Sequence, residues 1–379
     1  MIALNACEYV VKKNNFYPVI VAGGRGTRFW PLSRARRAKQ LLPLNSSRPM
    51  IEETYARLKP LAPKQNFWVI TNRELRAPIA KLLREIDRKQ ILSEPVGRNT
   101  APAIGLAALL LERQNPDAII GMFPADHVIS DEKKFQRACQ QAAEIAAAGE
   151  NIVVMGIRPS RAETGYGYIE VGEKEGDHFR VHRFTEKPDA EKASQFVEAG
   201  NYYWNSGMFF WSARTLANAL REYLAPTAAI LEQIAAAFDS RKFDKVFARL
   251  YPKVQSISVD YAVLEPRSAR GEAHSGLCCI PAEFGWNDLG SWTALHEHKL
   301  ATTKKKAGDQ NVIAADDHIA LNATRNYIHA PGKFVATVGV KGLVIVETDD
   351  ALLITTLAAS QDVGKVVKQL DERKRKDLI

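Results

Sequence analysis

The sequence is poor in cysteine and has no long hydrophobic run. Its 379 residues include four cysteines, of which Cys278 and Cys279 are adjacent, so neither a disulfide framework nor a zinc-site spacing is present. We expect free, buried thiols in a reducing compartment. No apolar stretch reaches the roughly 18–20 residues of a membrane span, and the N-terminus does not resemble a secretion signal. These absences favour a cytoplasmic protein without a membrane partner.

The charge balance is basic, with a formal net charge of +9. Such an excess occurs in proteins that bind nucleic acids and in proteins that bind small acidic substrates. Much of it lies in two local runs, at 304–306 and in the segment ERKRKD near the C-terminus. No nucleic-acid-binding signature with interleaved aromatic residues accompanies these runs. We therefore predict no nucleic-acid partner.

Hydrophobic patterning in the first half alternates between strand and helix. Short β-branched runs at 19–22, around 69, ending at 123 and around 154 predict buried strands. Helical periodicity separates them, at 51–61, 75–86, 101–113 and 135–148. This alternation predicts an α/β fold with a Rossmann-like, mixed but mainly parallel sheet and right-handed crossovers.

The pattern changes after about residue 160. The segments YGYIEVGE and HFRVHRFTEKP predict antiparallel strands that lie over the first half, and SGMFFWSA predicts a further strand of the sheet. Helices are predicted at 189–199 and 212–224.

A polar stretch at 298–310 predicts a linker. Beyond it, six short β runs separated by turn residues indicate a small all-β module, compatible with a solenoid although no clean repeat period is present. An amphipathic segment at 361–370 is expected to close it as a helix. We predict an α/β catalytic domain at 1–297, the linker, and the β module at 311–379.

The strongest local motif is VIVAGGRGTRFWPLS at 19–33. Gly23, Gly24 and Gly26 directly follow a predicted strand, where glycine allows backbone N–H groups to approach phosphates. Arg25 and Arg28 in the same loop carry charges that could neutralise a triphosphate, and Lys39 follows shortly after them. The spacing fits neither a Walker A loop nor the dinucleotide fingerprint, which disfavours a dehydrogenase. By itself the loop is also compatible with a structural turn.

The second motif is SEPVGRNTAPAIGLAA, which begins at residue 93. Thr100 is the predicted N-cap of a helix with Pro102 in its first turn. Glu94, Arg98 and Asn99 then lie just ahead of a helix N-terminus, where an anion or a base can be bound. The alternative is an ordinary capped helix without a ligand.

Two further motifs, MFPADHVI and FGWNDLGSW, each contain an aspartate. Asp126 follows a predicted strand at its carboxyl end, the edge at which open α/β sheets bind ligands. Asp288 lies in a turn between Trp286 and Trp292. Aspartate is common in turns, so each residue alone is weak support for a site. His127 is expected to be neutral and hydrogen-bonded, with a role in shaping its loop.

Three further short motifs contain candidate ligand-binding residues. Gly165 in ETGYGYIE could offer a backbone amide to a ligand. Glu186 and Lys187 in FTEKP could accept from hydroxyls and pair with phosphate, and Asn205 and Gly207 lie in NSGMFFW. Each string is individually commonplace.

In this order, the motifs together resemble those of the nucleoside-diphosphate-sugar pyrophosphorylases. EPVGRNTAPA and VDYAVLE (259–265) are similar to segments of the mannose-1-phosphate guanylyltransferase branch. The resemblance extends from about Pro18 to the C-terminus, with alanine at position 38 where proline is usual before the lysine. It implies a glycosyltransferase-A-like nucleotidyltransferase fold followed by a left-handed β-helix-like domain.

The resemblance also implies residue roles. Arg28 and Lys39 would contact phosphates, and Asp126 and Asp288 would bind Mg²⁺. The implied nucleotide-binding residues are Gly23, Gly24, Gly26, Thr27, Arg28, Lys39, Glu94, Arg98, Asn99 and Thr100. The implied residues for the sugar phosphate are Gly165, Glu186, Lys187, Asn205 and Gly207.

The implied reaction is transfer of GMP from GTP to α-D-mannose 1-phosphate, without a covalent intermediate or a catalytic histidine or serine. Two alternatives stay open: a related enzyme with another sugar phosphate or NTP, and a non-catalytic subunit that binds GDP-mannose. Because many bacterial relatives carry an added isomerase domain and this chain ends at Ile379, we expect a monofunctional enzyme. A homodimer is the most common assembly for such proteins.

Overall fold

The computed structural model describes residues 11–303 and 308–379. Cys7 and the lysine run at 304–306 lie outside these ranges. Cys139, Cys278 and Cys279 are free and buried, as expected. Within the described ranges, every helix is too short or too polar to cross a lipid bilayer.

Strands and helices alternate through the first two-thirds of the chain. The strands are β1 (Phe16–Ala22), β2 (Trp68–Asn72), β3 (Ile91–Glu94), β4 (Ile119–Pro124), β5 (Val128–Ile129), β6 (Ile152–Ile157), β7 (Tyr168–Glu175), β8 (His178–Thr185), β9 (Tyr202–Ser212), β10 (Leu277–Pro281), β11 (Trp286–Asn287), β12 (Val312–Leu321), β13 (Tyr327–Val338), β14 (Leu343–Glu347) and β15 (Leu352–Thr356). The helices are α1 (Met50–Leu58), α2 (Arg73–Leu82), α3 (Thr100–Gln114), α4 (Glu132–Ala147), α5 (Ala190–Ala199), α6 (Ala213–Tyr223), α7 (Ala225–Ala236), α8 (Phe243–Leu250), α9 (Glu265–Ser268), α10 (Glu272–Ser275), α11 (Trp292–Thr302) and α12 (Val363–Glu372).

The main sheet has nine strands in the order β3-β2-β1-β4-β9-β6-β10-β8-β7. All of them except β8 and β9 run in one direction, since β4–β9, β6–β9, β10–β8, β7–β8 and β7–β9 are the antiparallel pairs. The mixed, mainly parallel sheet is therefore confirmed. The prediction that β7 and β8 lie over the first half is wrong. Both strands extend the same sheet, because β8 pairs with β10 and β7 pairs with β9.

Helices cover both faces of this sheet. Val19 and Ile20 are adjacent in β1 and fully buried, yet they belong to different cores because side chains alternate along a strand. Val19 packs with residues of α3, α6 and α7, and Ile20 packs with residues of α1, α2 and α4. Burial on both faces explains why the strand is a continuous apolar run.

The last part of the chain forms a second sheet in the order β12-β13-β14-β15. The first three strands are parallel neighbours joined by short connections, which requires the chain to wind in a coil. The six predicted runs merge into four strands because β12 and β13 each continue through a break in register. Buried Asn326 donates its backbone N–H to the side-chain oxygen of Asn311 and its side-chain amide to the carbonyl of Val340, so polar groups connect successive turns.

Helix α11 occupies the first residues of the predicted linker at 298–310. Ser291 caps it, and the buried ring of His298 hydrogen-bonds to Asn45 at 2.7 Å, so the segment is ordered by packing. Helix α12 closes the second sheet as expected, with Val363 and Val367 buried.

Candidate active site

Three distant segments meet at the carboxyl ends of β1 and β4. The glycine-rich loop follows β1, and Asp126 follows β4. The third segment is placed by β11, which pairs with β5 in the antiparallel register Trp286↔Ile129 and Asn287↔Val128. This pairing brings Asp288 to the edge of the sheet where Asp126 lies. An edge of this kind is where open α/β sheets bind ligands.

The glycine-rich loop fits closely around Lys39. Gly26 has a φ of +63°, and a Cβ at that position would clash with the Cβ of Lys39. The amide of Gln40 donates to the carbonyl oxygens of Ala22 and Gly24 at 2.8 and 3.0 Å, which fixes the path of the loop. Glycine is therefore required at position 26 for both backbone conformation and space.

Lys39 joins the two aspartates. Its ammonium nitrogen lies 2.8 Å from Oδ2 of Asp126 and donates a hydrogen bond to the backbone oxygen of Asp288. Arg28 extends from the same loop, and its Nη1 donates to the carbonyl of Gly290 at 3.2 Å. The structure thus brings together all four residues that were predicted to be catalytic.

The electrostatics around Asp126 favour its ionised form. Burial acts to raise the pKa of the carboxyl, but the charge and the hydrogen bond of Lys39 outweigh it, so the pKa is lowered. For His127, burial is the main cause that lowers the pKa to about 4. Its Nδ1 accepts a hydrogen bond from Nε1 of Trp286 at 3.1 Å. The neutral, hydrogen-bonded histidine that the sequence indicated is therefore confirmed.

The two aspartates are chemically suited to Mg²⁺. Carboxylate oxygens are the ligands that this ion prefers, and it typically takes one or two of them and completes its shell with phosphate oxygens and water. Asp288 is oriented by the hydroxyl of Tyr166, which donates to Oδ1 at 2.6 Å. No cluster of three or more His, Cys, Asp or Glu side chains suited to a metal occurs in 11–303 and 308–379. A two-carboxylate site therefore fits only if substrate phosphates contribute oxygens.

The second motif forms a buried acceptor next to the glycine-rich loop. Glu94 is buried, and its Oε1 accepts from the hydroxyl of Tyr251 at 2.7 Å. Burial is the largest cause that raises the pKa of Glu94. Its Oε2 points toward Gly23, because a Cβ placed on that glycine would lie 3.5 Å away. Arg98 donates to the carbonyl of Pro252.

The predicted cap of helix α3 is wrong by one residue. Asn99 is the N-cap, with a φ of +65° and a side-chain oxygen that accepts from the backbone N–H of Thr100 at 2.8 Å. Thr100 is the first helical residue, and its hydroxyl accepts from the N–H of Val259 at 2.9 Å. A positive φ with an extended ψ is a sparsely populated conformation for a residue other than glycine, so the backbone is strained at this entry into the helix.

The residues predicted for the sugar phosphate lie together, with one difference. Lys187 pairs with Glu186, and the N–H of Gly207 donates to Oδ1 of Asn205 at 2.9 Å. The amide of Gly165, which was expected to face a hydroxyl, instead donates to Oε1 of Glu163 at 3.0 Å. A side chain two residues away satisfies this amide, which sequence spacing alone does not reveal.

Comparisons with known proteins agree with this geometry. Residues 17–305 match the family described as "Nucleotidyl transferase", and residues 316–370 match the "MannoseP isomerase/GMP-like beta-helix domain". The mannose-1-phosphate guanylyltransferase RfbM of Salmonella typhimurium is 41% identical over 372 residues, covering 96% of this chain and 74% of the relative. The mannose-1-phosphate guanylyltransferase of Escherichia coli K12 is 39% identical over 368 residues, covering 94% and 74%.

This chain belongs to the mannose-1-phosphate guanylyltransferase family. The chain spans about three quarters of the length of these curated relatives. A solved structure from Thermus thermophilus, described as a mannose-1-phosphate geranyltransferase, superposes with a TM-score of 0.82 at 32% identity and covers 94% of this chain and 99% of that one. The family, the enzyme class and the nucleotidyltransferase fold with its β-helix-like module are thus confirmed.

The guanylyltransferase site also contains residues that the motifs did not single out. Tyr166 contacts Asp288, Tyr251 contacts Glu94, and Asp260 contacts Asn205. Tyr166 and Asp260 lie within two of the motifs named above, ETGYGYIE and VDYAVLE, so the sequence identified the segments but not these residues. No feature of the sequence near Tyr251 pointed to a contact with Glu94.

Proposed function

We propose that this chain transfers GMP from GTP to α-D-mannose 1-phosphate, giving GDP-mannose and pyrophosphate. The observation that carries the proposal is the position of Lys39, which joins Asp126 and Asp288 directly below the glycine-rich loop. This arrangement combines a backbone suited to phosphates, a buried cation and two carboxylates at one sheet edge.

The reaction is an in-line displacement at the α-phosphorus of GTP. A phosphate oxygen of mannose 1-phosphate forms the new P–O bond, and the bond to the β-phosphate oxygen breaks and releases pyrophosphate. The second pKa of a phosphate monoester is about 6, so the attacking oxygen is already ionised near neutral pH. No side chain has to remove a proton, which agrees with the engaged Nδ1 of His127.

The side chains then act by positioning and by neutralising charge. Arg28 and Lys39 would stabilise the charge that develops on the departing pyrophosphate. Asp126 and Asp288 would hold Mg²⁺, which when bound supplies further neutralisation of the phosphates. Glu186, Lys187 and Asn205 would bind the sugar phosphate.

Selection of guanine follows from the acceptor at Glu94. Guanine presents two adjacent donors, N1–H and the 2-amino group, and a carboxylate oxygen can accept from such an edge. Oε2 of Glu94 faces the glycine-rich loop, while Oε1 is held by Tyr251. The remaining nucleotide residues of the motif, Arg98 to Thr100, would support this loop and the base.

The function is tested by pyrophosphate release from a matrix of NTPs and sugar 1-phosphates, with Mg²⁺ and with a chelator. We expect release that requires the metal and is strongest with GTP and mannose 1-phosphate. Release with a different pair would change the assigned substrates and keep the reaction class. Nucleotide binding without release from any pair would favour the non-catalytic subunit.

Substitution of Asp126 tests the metal assignment. Asp126→Ala should reduce turnover by at least about a hundredfold, because charge neutralisation at the phosphates is the main catalytic term. The circular-dichroism spectrum should not change, since this carboxylate is only half-buried. Asp349→Ala, in an exposed turn, is the matched control and should retain full turnover. Undiminished activity of Asp126→Ala would contradict the assignment.

A further inference from the structure

Asp260 lies beside the residues proposed to bind the sugar phosphate. It begins a π-helical turn, Asp260–Leu264, a form that occurs frequently at functional sites. Its Oδ1 accepts a hydrogen bond from Nδ2 of Asn205 at 2.9 Å. Because Oδ1 of Asn205 accepts from the N–H of Gly207, the Asn205 amide is fixed in one orientation.

A second carboxylate faces the same space. The Glu186 side chain is 5% exposed, and Lys187 pairs with its Oε1. Its Oε2 is buried and has no hydrogen-bond donor in the described part of the chain. Gly167 lies close to this oxygen, because a Cβ at that position would clash with Oε2. A buried acceptor without a donor is costly, which indicates that a ligand supplies the donor.

The two carboxylates interact with each other. Burial, and then the negative charge of Glu186, raise the pKa of Asp260 to about 6. The charged groups that face Asp260 are Glu186 and Lys187, and the neutral Asn205 amide partly offsets the effect. Two like charges held close together cost stability, so a compensating role in binding is the physical reason to keep them.

We propose that Asp260 is a specificity-determining residue for the sugar, which holds the Asn205 amide and, with Glu186, accepts hydrogen bonds from adjacent hydroxyls of the hexose. The inference rests on the proposed function and extends it to a residue that no motif assigned. Adjacent hydroxyls are neutral donors, and they can satisfy two neighbouring carboxylates at once. A phosphate group, which is anionic and only accepts, could not do so.

Steady-state kinetics of Asp260→Asn test the proposal. We expect the KM for mannose 1-phosphate to rise about tenfold, because a hydrogen bond to a charged acceptor is lost. The KM for GTP should stay within about twofold, since only the sugar end changes. Asp177→Asn, in the exposed turn between β7 and β8, is the matched control and should behave as wild type. An unchanged KM for mannose 1-phosphate, or an equal rise for both substrates, would overturn the proposal.

A set of mono-deoxy mannose 1-phosphates identifies the hydroxyl. The wild type should bind one of these analogues less tightly than mannose 1-phosphate. Asp260→Asn should bind that analogue almost as tightly as it binds mannose 1-phosphate, because both changes remove the same hydrogen bond. Strictly additive losses for every analogue would contradict contact with the hexose. If the wild type releases no pyrophosphate from any pair, the proposed function fails, and calorimetric binding of mannose 1-phosphate to both forms still tests Asp260.

Thermal stability separates this role from a structural one. The folded-state pKa of Asp260 lies above the ordinary value, so ionisation costs stability above about pH 6, and the cost is relieved as the pH falls toward 4. Asp260→Asn, which carries no charge, should therefore have a higher Tm than wild type at about pH 7.5, and the difference should shrink toward about pH 5. A lower Tm at both pH values would overturn the proposal. If the asparagine variant does not fold, Asp260→Glu should still raise the KM for mannose 1-phosphate alone.

Discussion

At the scale of single residues, the proposed selectivity for guanine depends on a contact between two segments that are far apart in the chain. The hydroxyl of Tyr251 donates to Oε1 of Glu94 at 2.7 Å, and both residues are buried. The bond holds one carboxylate oxygen, so the other keeps a fixed direction toward the glycine-rich loop. Tyr251 thus positions the proposed acceptor for guanine without belonging to the motif.

Tyr251→Phe should narrow the preference for GTP over ITP. Inosine lacks the 2-amino group, so Glu94 can form fewer hydrogen bonds with ITP than with GTP. Displacing Glu94 therefore weakens binding of ITP less than binding of GTP. We expect kcat/KM to fall about tenfold with GTP and clearly less with ITP, in line with the cost of one buried charged hydrogen bond. Tyr223→Phe, outside the site, is the matched control. An equal loss with both nucleotides would show that Tyr251 supports only the fold.

At the scale of elements, the glycine-rich loop and the turn that carries Lys39 form one unit. Gly26 adopts the left-handed conformation and contacts the Lys39 side chain closely. The Lys39 ammonium in turn holds Asp126, so the geometry of the loop determines where the cation lies.

Gly26→Ala should therefore inactivate the enzyme by displacing Lys39. A shift of about 1 Å in a catalytic group can reduce turnover about a hundredfold. Gly176→Ala is the matched control, since Gly176 also has a positive φ but nothing lies near a Cβ there. Gly176→Ala should lose about 1–2 kcal/mol in urea unfolding because of the left-handed conformation, and Gly26→Ala should lose more because its Cβ also clashes with Lys39. Only Gly26→Ala should lose turnover, and equal activity of the two variants would refute the role of the Lys39 contact.

At the scale of the whole molecule, the C-terminal sheet packs against the glycine-rich loop. The fully buried ring of Trp292 lies 5.0 Å from the ring of Phe29 and 5.2 Å from that of Tyr327. Helix α12 contributes to the same cluster, and a Cβ at Gly364 would lie 3.4 Å from the hydroxyl of Thr27. The second sheet and helix α12 therefore belong to the hydrophobic cluster that supports the glycine-rich loop.

Trp292→Ala should weaken GTP binding as well as stability. The cost of unfolding free energy is expected to be about 3–5 kcal/mol, as for other buried tryptophans. The KM for GTP should rise because the turn at Phe29 loses its support. Trp211→Ala, equally buried in β9 in a different core, should cost similar stability and leave the KM for GTP unchanged. Thermal unfolding measures the loss of stability, and steady-state kinetics measure the KM for GTP. An equal KM for GTP in the two variants would contradict a role of Trp292 in supporting the loop.

The homodimer remains a prediction. Four apolar side chains of β12 and β13 are exposed on one face of that strand pair, in the register Leu321↔Val338 and Ile319↔Ala336. Exposed apolar patches of this kind mark interaction surfaces. The exposed residues on this face are Ile319, Leu321, Phe334 and Val338.

The sequence alone determined many of the elements and the identity of the chemical groups, although β3, β10, α7 and α8 were not predicted. Periods of two and 3.6 residues are local, so β1, β2, β4 and β6 and the helices between them were predicted correctly. The glycines, the two basic residues and the two aspartates were likewise recognisable because each lies within a contiguous motif. The domain boundaries and the assigned roles of these residues remain predictions.

Only the tertiary structure decided which of these groups meet. The pairing of β11 with β5 brings Asp288 to Lys39, and packing brings Tyr251 to Glu94 and Asp260 to Asn205. Strands β7 and β8 joined the main sheet for the same reason, since a strand's own pattern does not specify which edge it pairs with. Contacts between residues far apart in the chain depend on the packing of the whole chain, and local periodicity contains no information about them.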